Sequence, residues 1–266
     1  MTELDELLET ARVAARTASA VLAGARAEQI RSKQSLRDLV TEWDLRSEAA
    51  IREILDERTP GIAILGEEGG QSGSGARRWL VDPIDGTVNF AHGLPIWSIS
   101  IALEDANQRP LVGVVAAPAL GWWFEASSGH GARDAAGAPL HVSAQARLDH
   151  ALLSTGFPYD AATHPVNNFA EWEHLQRVAG ACRRLGCASI DLCLVACGWL
   201  DGYWEQRLQP WDIAAGGLVV AEAGGTVTSL SNGTFEPHSG EVVATNGAIH
   251  NELIAELARA RREPHP

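Results

Sequence analysis

Apolar positions along this 266-residue chain recur with two different periods, and the period changes with position. Glu3 to Glu28 is Ala-rich, with Leu7, Ala11, Ala14 and Ala18 at helical spacing, which predicts a long amphipathic helix. Arg31 to Thr41 is polar and reads as a mobile loop or hairpin. Helical spacing returns over Asp44 to Glu57, with Leu45, Ala49, Ile51 and Leu55 as its apolar face, and Thr59-Pro60-Gly61 stops it. Ile62 to Leu65 predicts a strand, Gln71 to Ala76 a Gly/Ser loop, and Trp79 to Val81 a further strand. The runs Ile96 to Leu103, Leu111 to Ala117, Trp122 to Ala126 and Leu140 to Val142 follow, punctuated by Gly and Pro, and predict antiparallel hairpins.

From about His150 the pattern alternates. Strands are predicted at Ala151 to Ser154, Leu200 to Trp204, Thr226 to Thr228 and Val242 to Ala244. Helices are predicted at Val166 to Val178, Ser189 to Gly198, Trp211 to Ala223 and Asn251 to Arg261, with Arg262 to Pro266 a frayed end. Such alternation suggests an α/β arrangement. The chain therefore divides into an α+β part, residues 1–145, and an α/β part, residues 146–266. No internal repeat is visible.

The composition changes this picture little. A hydrophobic fraction of 45% and a charged fraction of 21% are ordinary for a globular protein. No apolar run approaches the roughly 20 residues that span a bilayer, so no membrane association is expected. Met1 to Glu6 is acidic and lacks the basic start and apolar block of a signal peptide, so a cytoplasmic location is expected. The formal charge of −13 makes nucleic acid an unlikely partner. An anionic substrate on so acidic a chain would imply bound cations that reverse the local sign. Cys182, Cys187, Cys193 and Cys197 match no zinc spacing and read as buried reduced thiols.

The densest chemistry lies in Trp79-Leu80-Val81-Asp82-Pro83-Ile84-Asp85-Gly86-Thr87-Val88-Asn89-Phe90. Asp82 and Asp85 lie three residues apart behind an apolar run, and carboxylates this close repel unless a cation or proton lies between them. Oxygen donors of this kind suit Mg²⁺. Gly86-Thr87 would let backbone approach a phosphate at the start of a helix. On its own the segment reads equally as a turn, since Asp-Pro and Asp-Gly are turn dipeptides. Asp212, in Trp211-Asp212-Ile213-Ala214-Ala215-Gly216-Gly217, reads on its own as a first-turn helix Asp.

Taken in order, Gly66-Glu67-Glu68-Gly69, the Asp82 segment, Trp211-Asp212 and Ala221-Glu222-Ala223-Gly224-Gly225 resemble the inositol monophosphatase family. The likeness covers nearly the whole chain, including the segment Lys33 to Asp44. It implies an α+β fold, the layered αβαβα sandwich of the inositol monophosphatase and fructose bisphosphatase type. It also implies Mg²⁺-dependent, Li⁺-sensitive hydrolysis of small phosphate monoesters, with two or three Mg²⁺ per site, and a homodimer. Metal ligands would be Glu67, Asp82, the Ile84 carbonyl, Asp85 and Asp212. Glu67 and Thr87 would orient the attacking water, with Asp85 also catalytic, and Lys33, Asp38 and Asp44 would belong to a mobile segment closing over the metals. Gly86, Thr87, Gly186, Cys187 and Ala188 would hold the substrate, and Glu205 would receive polyol hydroxyls. Cys187 stands where the family carries a hydroxyl, and Trp43 where it carries a small or polar residue.

Myo-inositol 1-phosphate is the expected substrate. The alternatives within the superfamily are histidinol phosphate, fructose 1,6-bisphosphate and a phosphoadenosine phosphate. The alternative of another class is a binding partner of the transcription or translation machinery.

Overall fold

The computed structural model describes residues 2–26, 30–32 and 39–262. In chain order the helices are α1 (Glu3–Val21), α2 (Glu42–Arg58), α3 (Thr87–Ala91), α4 (Phe169–Val178), α5 (Ala188–Ala196), α6 (Pro210–Glu222) and α7 (His250–Ala260). The first seven strands are β1 (Ile30–Ser32), β2 (Leu39–Thr41), β3 (Ala63–Gly66), β4 (Gly70–Ser72), β5 (Arg78–Asp85), β6 (Ser98–Glu104) and β7 (Pro110–Ala117). The rest are β8 (Trp122–Ser127), β9 (Ala132–Asp134), β10 (Leu152–Thr155), β11 (Ala181–Arg183), β12 (Gly202–Gln206), β13 (Thr226–Thr228) and β14 (Glu241–Thr245).

Five layers result. One sheet has seven strands in the order β4-β3-β5-β6-β7-β8-β9, and another five in the order β11-β10-β12-β14-β13. α1 and α2 cover the outer face of the large sheet, α5 and α6 lie between the sheets, and α4 and α7 cover the outer face of the small sheet. This is the expected αβαβα sandwich. Of its three apolar clusters, two fill the outer helix–sheet interfaces and the third fills both faces of the central helix layer. α5 and α6 are apolar nearly all round, as a helix between two sheets must be. Among the described residues no helix is long and apolar enough to cross a membrane.

The antiparallel hairpins expected from β6 to β8 are present, and β1 pairs with β2 as a hairpin. Several expectations need correction. α1 ends at Val21 rather than Glu28, because the chain turns through Gly24 at φ +70°. Leu140 to Val142 is not a strand. Its amides reach Ala132 O at 2.9 Å and Ala223 O at 3.3 Å, which are single contacts and not a ladder. α4 begins at Phe169, after Asn168 at φ +70°. Short β4 and β11 carry no periodic signal and were not expected, whereas the five-residue α3 is the helix start expected at Gly86-Thr87.

α2 exists as expected, but its buried face is different. Leu45 is 53% exposed and Ala49 is also exposed, whereas Asp44, Ser47 and Glu48 are buried in line with Ile51 and Leu55. The N-terminal half of this helix buries a polar stripe. Trp43, beside it, donates its indole N–H to Arg26 O at 2.8 Å and stacks under the Arg46 guanidinium at 4.8 Å.

Candidate active site

β3 and β5 are parallel, with Gly66 opposite Val81, and the Glu67 amide continues the ladder to Val81 O at 3.1 Å. The chain leaving β3 therefore delivers Glu67 beside Asp82. β5 pairs antiparallel with β6, but Asp82 faces Ser100 while Asp85 faces Ser98. Three steps on β5 match two on β6, so a bulge sits at Pro83-Ile84, where proline lacks the ladder N–H. Side chains three apart on a regular strand point to opposite faces. The bulge returns Asp82 and Asp85 to one face. The proline is the local signal that fixes this geometry.

Gly86 follows at φ +87° as the N-cap of α3, and a Cβ there would meet Ile96 O at 3.1 Å and Gly186 O at 3.2 Å. Only glycine fits both restraints. Thr87 is the first residue of α3 and not its cap. Its hydroxyl lies 3.0 Å from Ile84 O and 3.2 Å from Asp44 Oδ1. Asn89 then ties α3 to the opposite wall, donating to Ile96 O at 2.7 Å and Leu185 O at 2.9 Å.

The second wall comes from residues 146–266. Asp85 Oδ2 accepts the Ser189 amide at 2.7 Å, the Ser189 hydroxyl at 2.5 Å and the Cys187 thiol at 3.2 Å. Asp212 is the third residue of α6, and its Oδ2 accepts the Gln209 amide at 2.8 Å in a capping box. Ser100 fixes the start of α6 to the large sheet by donating to Trp211 O at 2.8 Å. Glu205, on β12, is buried and accepts the Tyr203 hydroxyl.

Glu67, Asp82, Ile84, Asp85, Gly86, Thr87, Gly186, Cys187, Ala188, Glu205 and Asp212 all line one cleft of about 560 Å³, with Arg184, Tyr159 and Arg207 at its sides. Asp44 reaches it through Thr87. Lys33 and Asp38 lie outside the described residues. The N-termini of α3, α5 and α6 all open onto this cleft, so three positive dipole ends face it. Cys187 does not present a free thiol to the cleft. Its Sγ is turned toward Asp85 and lies 3.3 Å from Ser98 Oγ, and burial followed by the Asp85 charge raises its pKa well above the thiol range. The four cysteines are all unpaired thiols, and Cys197 alone is only half-buried.

Burial raises the pKa values of Asp82 and Asp212 well above the usual carboxylate range, and the charges of Glu67, Asp85 and each other's neighbourhood add to it. Asp85 is raised too, chiefly by burial, against the lowering effect of its Ser189 and Cys187 bonds. Such acids, held together out of water, call for a cation or for protons. Among the described residues no three acidic, histidine or cysteine side chains lie close enough to share one ion as they stand. Mg²⁺ commonly uses one or two carboxylates and keeps several waters, so an open, all-oxygen arrangement fits it. Sequence reasoning missed Ser47, Glu48, Ser189 and Tyr203. Their only signal is position: they flank or face the acids in space without forming a motif.

The inositol monophosphatase family model matches residues 3–263. An inositol-1-monophosphatase of Synechocystis is 45% identical over 233 residues, covering 87% of this chain and 80% of its own length. A Nus factor SuhB of Haemophilus influenzae is 37% identical over 259 residues, covering 96% of each chain. The solved inositol monophosphatase of Anabaena superposes with a TM-score of 0.88 at 39% identity, covering 97% of both chains. With a cleft of clustered acids at the same bulged strand end that the motifs marked, the chain belongs to the inositol monophosphatase family and is a phosphatase, a phosphoric monoester hydrolase.

Proposed function

We propose that this protein hydrolyses myo-inositol 1-phosphate to inositol and phosphate in a Mg²⁺-dependent reaction. The observation that carries the reading is Glu205: a buried carboxylate, braced by Tyr203, in the same cleft as Asp82, Asp85 and Asp212. A carboxylate there accepts two polyol hydroxyls and rejects leaving groups that lack them. Residues 1–145 supply Glu67, Asp82, Asp85 and the Ile84 carbonyl as metal ligands, and residues 146–266 supply Asp212 and the polyol reader.

Mg²⁺ held by these oxygens, two or three ions per site, supplies Lewis-acid polarisation and lowers the pKa of the attacking water. The chain does the rest. Amides at the start of α3 and Gly86 receive the phosphate, joined by the backbone at Gly186-Cys187-Ala188. The Thr87 hydroxyl and Glu67 orient the water in line with the scissile P–O bond. Asp44 fixes the Thr87 hydroxyl. Positioning and electrostatics carry the catalysis without a covalent intermediate. A cytoplasmic homodimer inhibited by Li⁺ belongs to the same reading.

The test is phosphate release with Mg²⁺ from myo-inositol 1-phosphate, histidinol phosphate, fructose 1,6-bisphosphate and 3′-phosphoadenosine 5′-phosphate, with an EDTA control. Preference for inositol phosphate is expected. Preference for another substrate overturns the assignment of Glu205 while keeping the acids. No metal-dependent release from any of them favours the second reading, which the SuhB-named relative motivates: association with transcription machinery, read by pull-down of RNA polymerase.

A further inference from the structure

Glu48, in the polar stripe on α2, has no role in the chemistry above, yet it packs against the turn that carries Glu67. Glu48 is 2% exposed. Its Oε2 accepts the Glu68 amide at 2.7 Å, and its Oε1 accepts the Gly69 amide at 2.8 Å and Arg52 Nε at 2.7 Å. Arg52 then reaches past it to Gly70 O at 2.5 Å and to Ser72 Oγ at 3.0 Å. One carboxylate and one guanidinium thus clasp the whole turn between β3 and β4, the turn that carries Glu67.

The glycines of the Gly66-Glu67-Glu68-Gly69 motif are explained by this clasp. A Cβ at Gly69 would lie 2.7 Å from Glu48 Oε1, and a Cβ at Gly66 would overlap the same carboxylate. The motif is glycine on both sides because the Glu48 carboxylate packs against the backbone there. On the same helix face Ser47 donates to Pro83 O at 3.1 Å inside the β5 bulge, and Asp44 holds Thr87. Positions 44, 47 and 48 are one helical face.

We propose that Glu48, backed by Arg52, is a positioning residue that fixes the metal-binding orientation of Glu67. The proposal rests on the Mg²⁺ reading above. Outer groups that orient metal ligands typically change metal affinity ~10–100-fold when removed. In Glu48→Gln the new NH₂ faces amide donors, so the Glu68 or Gly69 amide loses its acceptor.

The experiment compares wild type, Glu48→Gln and the milder Arg52→Gln. It measures Mg²⁺ binding by calorimetry, the Mg²⁺ concentration giving half-maximal phosphate release, kcat and KM, and hydrogen exchange of the peptide containing residues 66–70. For Glu48→Gln we expect roughly tenfold weaker Mg²⁺ binding, faster exchange over residues 66–70, lower kcat, and a KM for inositol phosphate near the wild-type value once Mg²⁺ saturates. Arg52→Gln should move the same quantities less. If Glu48→Gln does not fold, Arg52→Gln carries the test alone. Unchanged Mg²⁺ binding in the folded variants, with only a lower Tm, overturns the proposal and leaves Glu48 a structural residue. Wild type that binds Mg²⁺ without releasing phosphate overturns only the substrate reading. Wild type that binds no Mg²⁺ overturns both.

Discussion

Glu205→Gln isolates the cost of keeping the Glu205 carboxylate out of water. Burial raises the Glu205 pKa from an ordinary 4.5 to about 7, against the opposing effects of the Tyr203 hydroxyl and the Arg184 charge, and the Asp85 charge adds to the rise. Buried Asp191 also faces it. The folded state therefore holds this proton more tightly than the unfolded chain. The linkage sign follows: the contribution to stability is fully present below pH 4.5, declines as pH rises, and is gone above about pH 7. At ~1.36 kcal/mol per pH unit, the loss between pH 5 and pH 8 is roughly 2–3 kcal/mol. Gln has the size of the protonated acid, still accepts from Tyr203, and does not titrate. Urea unfolding of both proteins in EDTA, across pH 5 to 8, gives the comparison. The variant should gain on wild type by roughly 2–3 kcal/mol over that span. Its KM for inositol phosphate should rise because one acceptor of hydroxyls is lost. Parallel stability curves across this range would refute the reasoning, because Glu205 would then be solvated or already paired.

Three further outcomes are expected. Asp85→Asn keeps an acceptor for Ser189, so its circular dichroism should match wild type while kcat/KM falls by at least ~100-fold, about 2.7 kcal/mol; wild-type turnover would remove Asp85 from the metal site. Saturating Mg²⁺ should raise the Tm of wild type, by an amount equivalent to about 2.7 kcal/mol at one hundred times its dissociation constant, and EDTA should reverse it; an equal rise in an Asp82→Asn, Asp212→Asn double variant would place the ion elsewhere. Trp79→Ala removes a fully buried ring whose indole donates to Thr59 Oγ1 at 3.0 Å, and should cost roughly 3–5 kcal/mol in urea unfolding with little change in the kcat of the folded fraction.

Much of this arrangement is legible in the chain because its cause is local. α1 shows its buried face as Leu7, Ala11, Ala14 and Ala18, and all four are buried. The acids are marked by motifs because each must leave a strand end or start a helix, and the residues that do so are adjacent in sequence. What could not be read is what comes from the other side of the fold. In α2 the apolar spacing placed Leu45 and Ala49 inward, whereas Asp44, Ser47 and Glu48 are buried. Hydrophobic periodicity assumes an apolar core, and this stretch instead packs on backbone amides and carbonyls that need polar partners. Cys187 stands in the predicted segment, but only the structure shows that its thiol serves Asp85 and Ser98.

Two sets of buried acids in this protein differ in what they bond, and the difference follows their use. Glu48, Glu104, Glu125 and Glu171, all away from the cleft, are each bonded by an arginine: Arg52, Arg78, Arg12 and Arg261. Asp82, Asp85, Asp212 and Glu205, which line it, are bonded among the described residues by neutral donors: the Ile84, Ser189 and Gln209 amides, the Ser189 and Tyr203 hydroxyls, and the Cys187 thiol. A guanidinium satisfies a carboxylate's hydrogen bonds and cancels its charge together. An amide or hydroxyl satisfies a bond and leaves the charge in place. The first group is spent on holding the fold. The second keeps charge uncancelled where burial makes it costly, which destabilises the empty site and strengthens its attraction for a divalent cation. The same −13 chain can then offer a phosphate a cation-filled cleft.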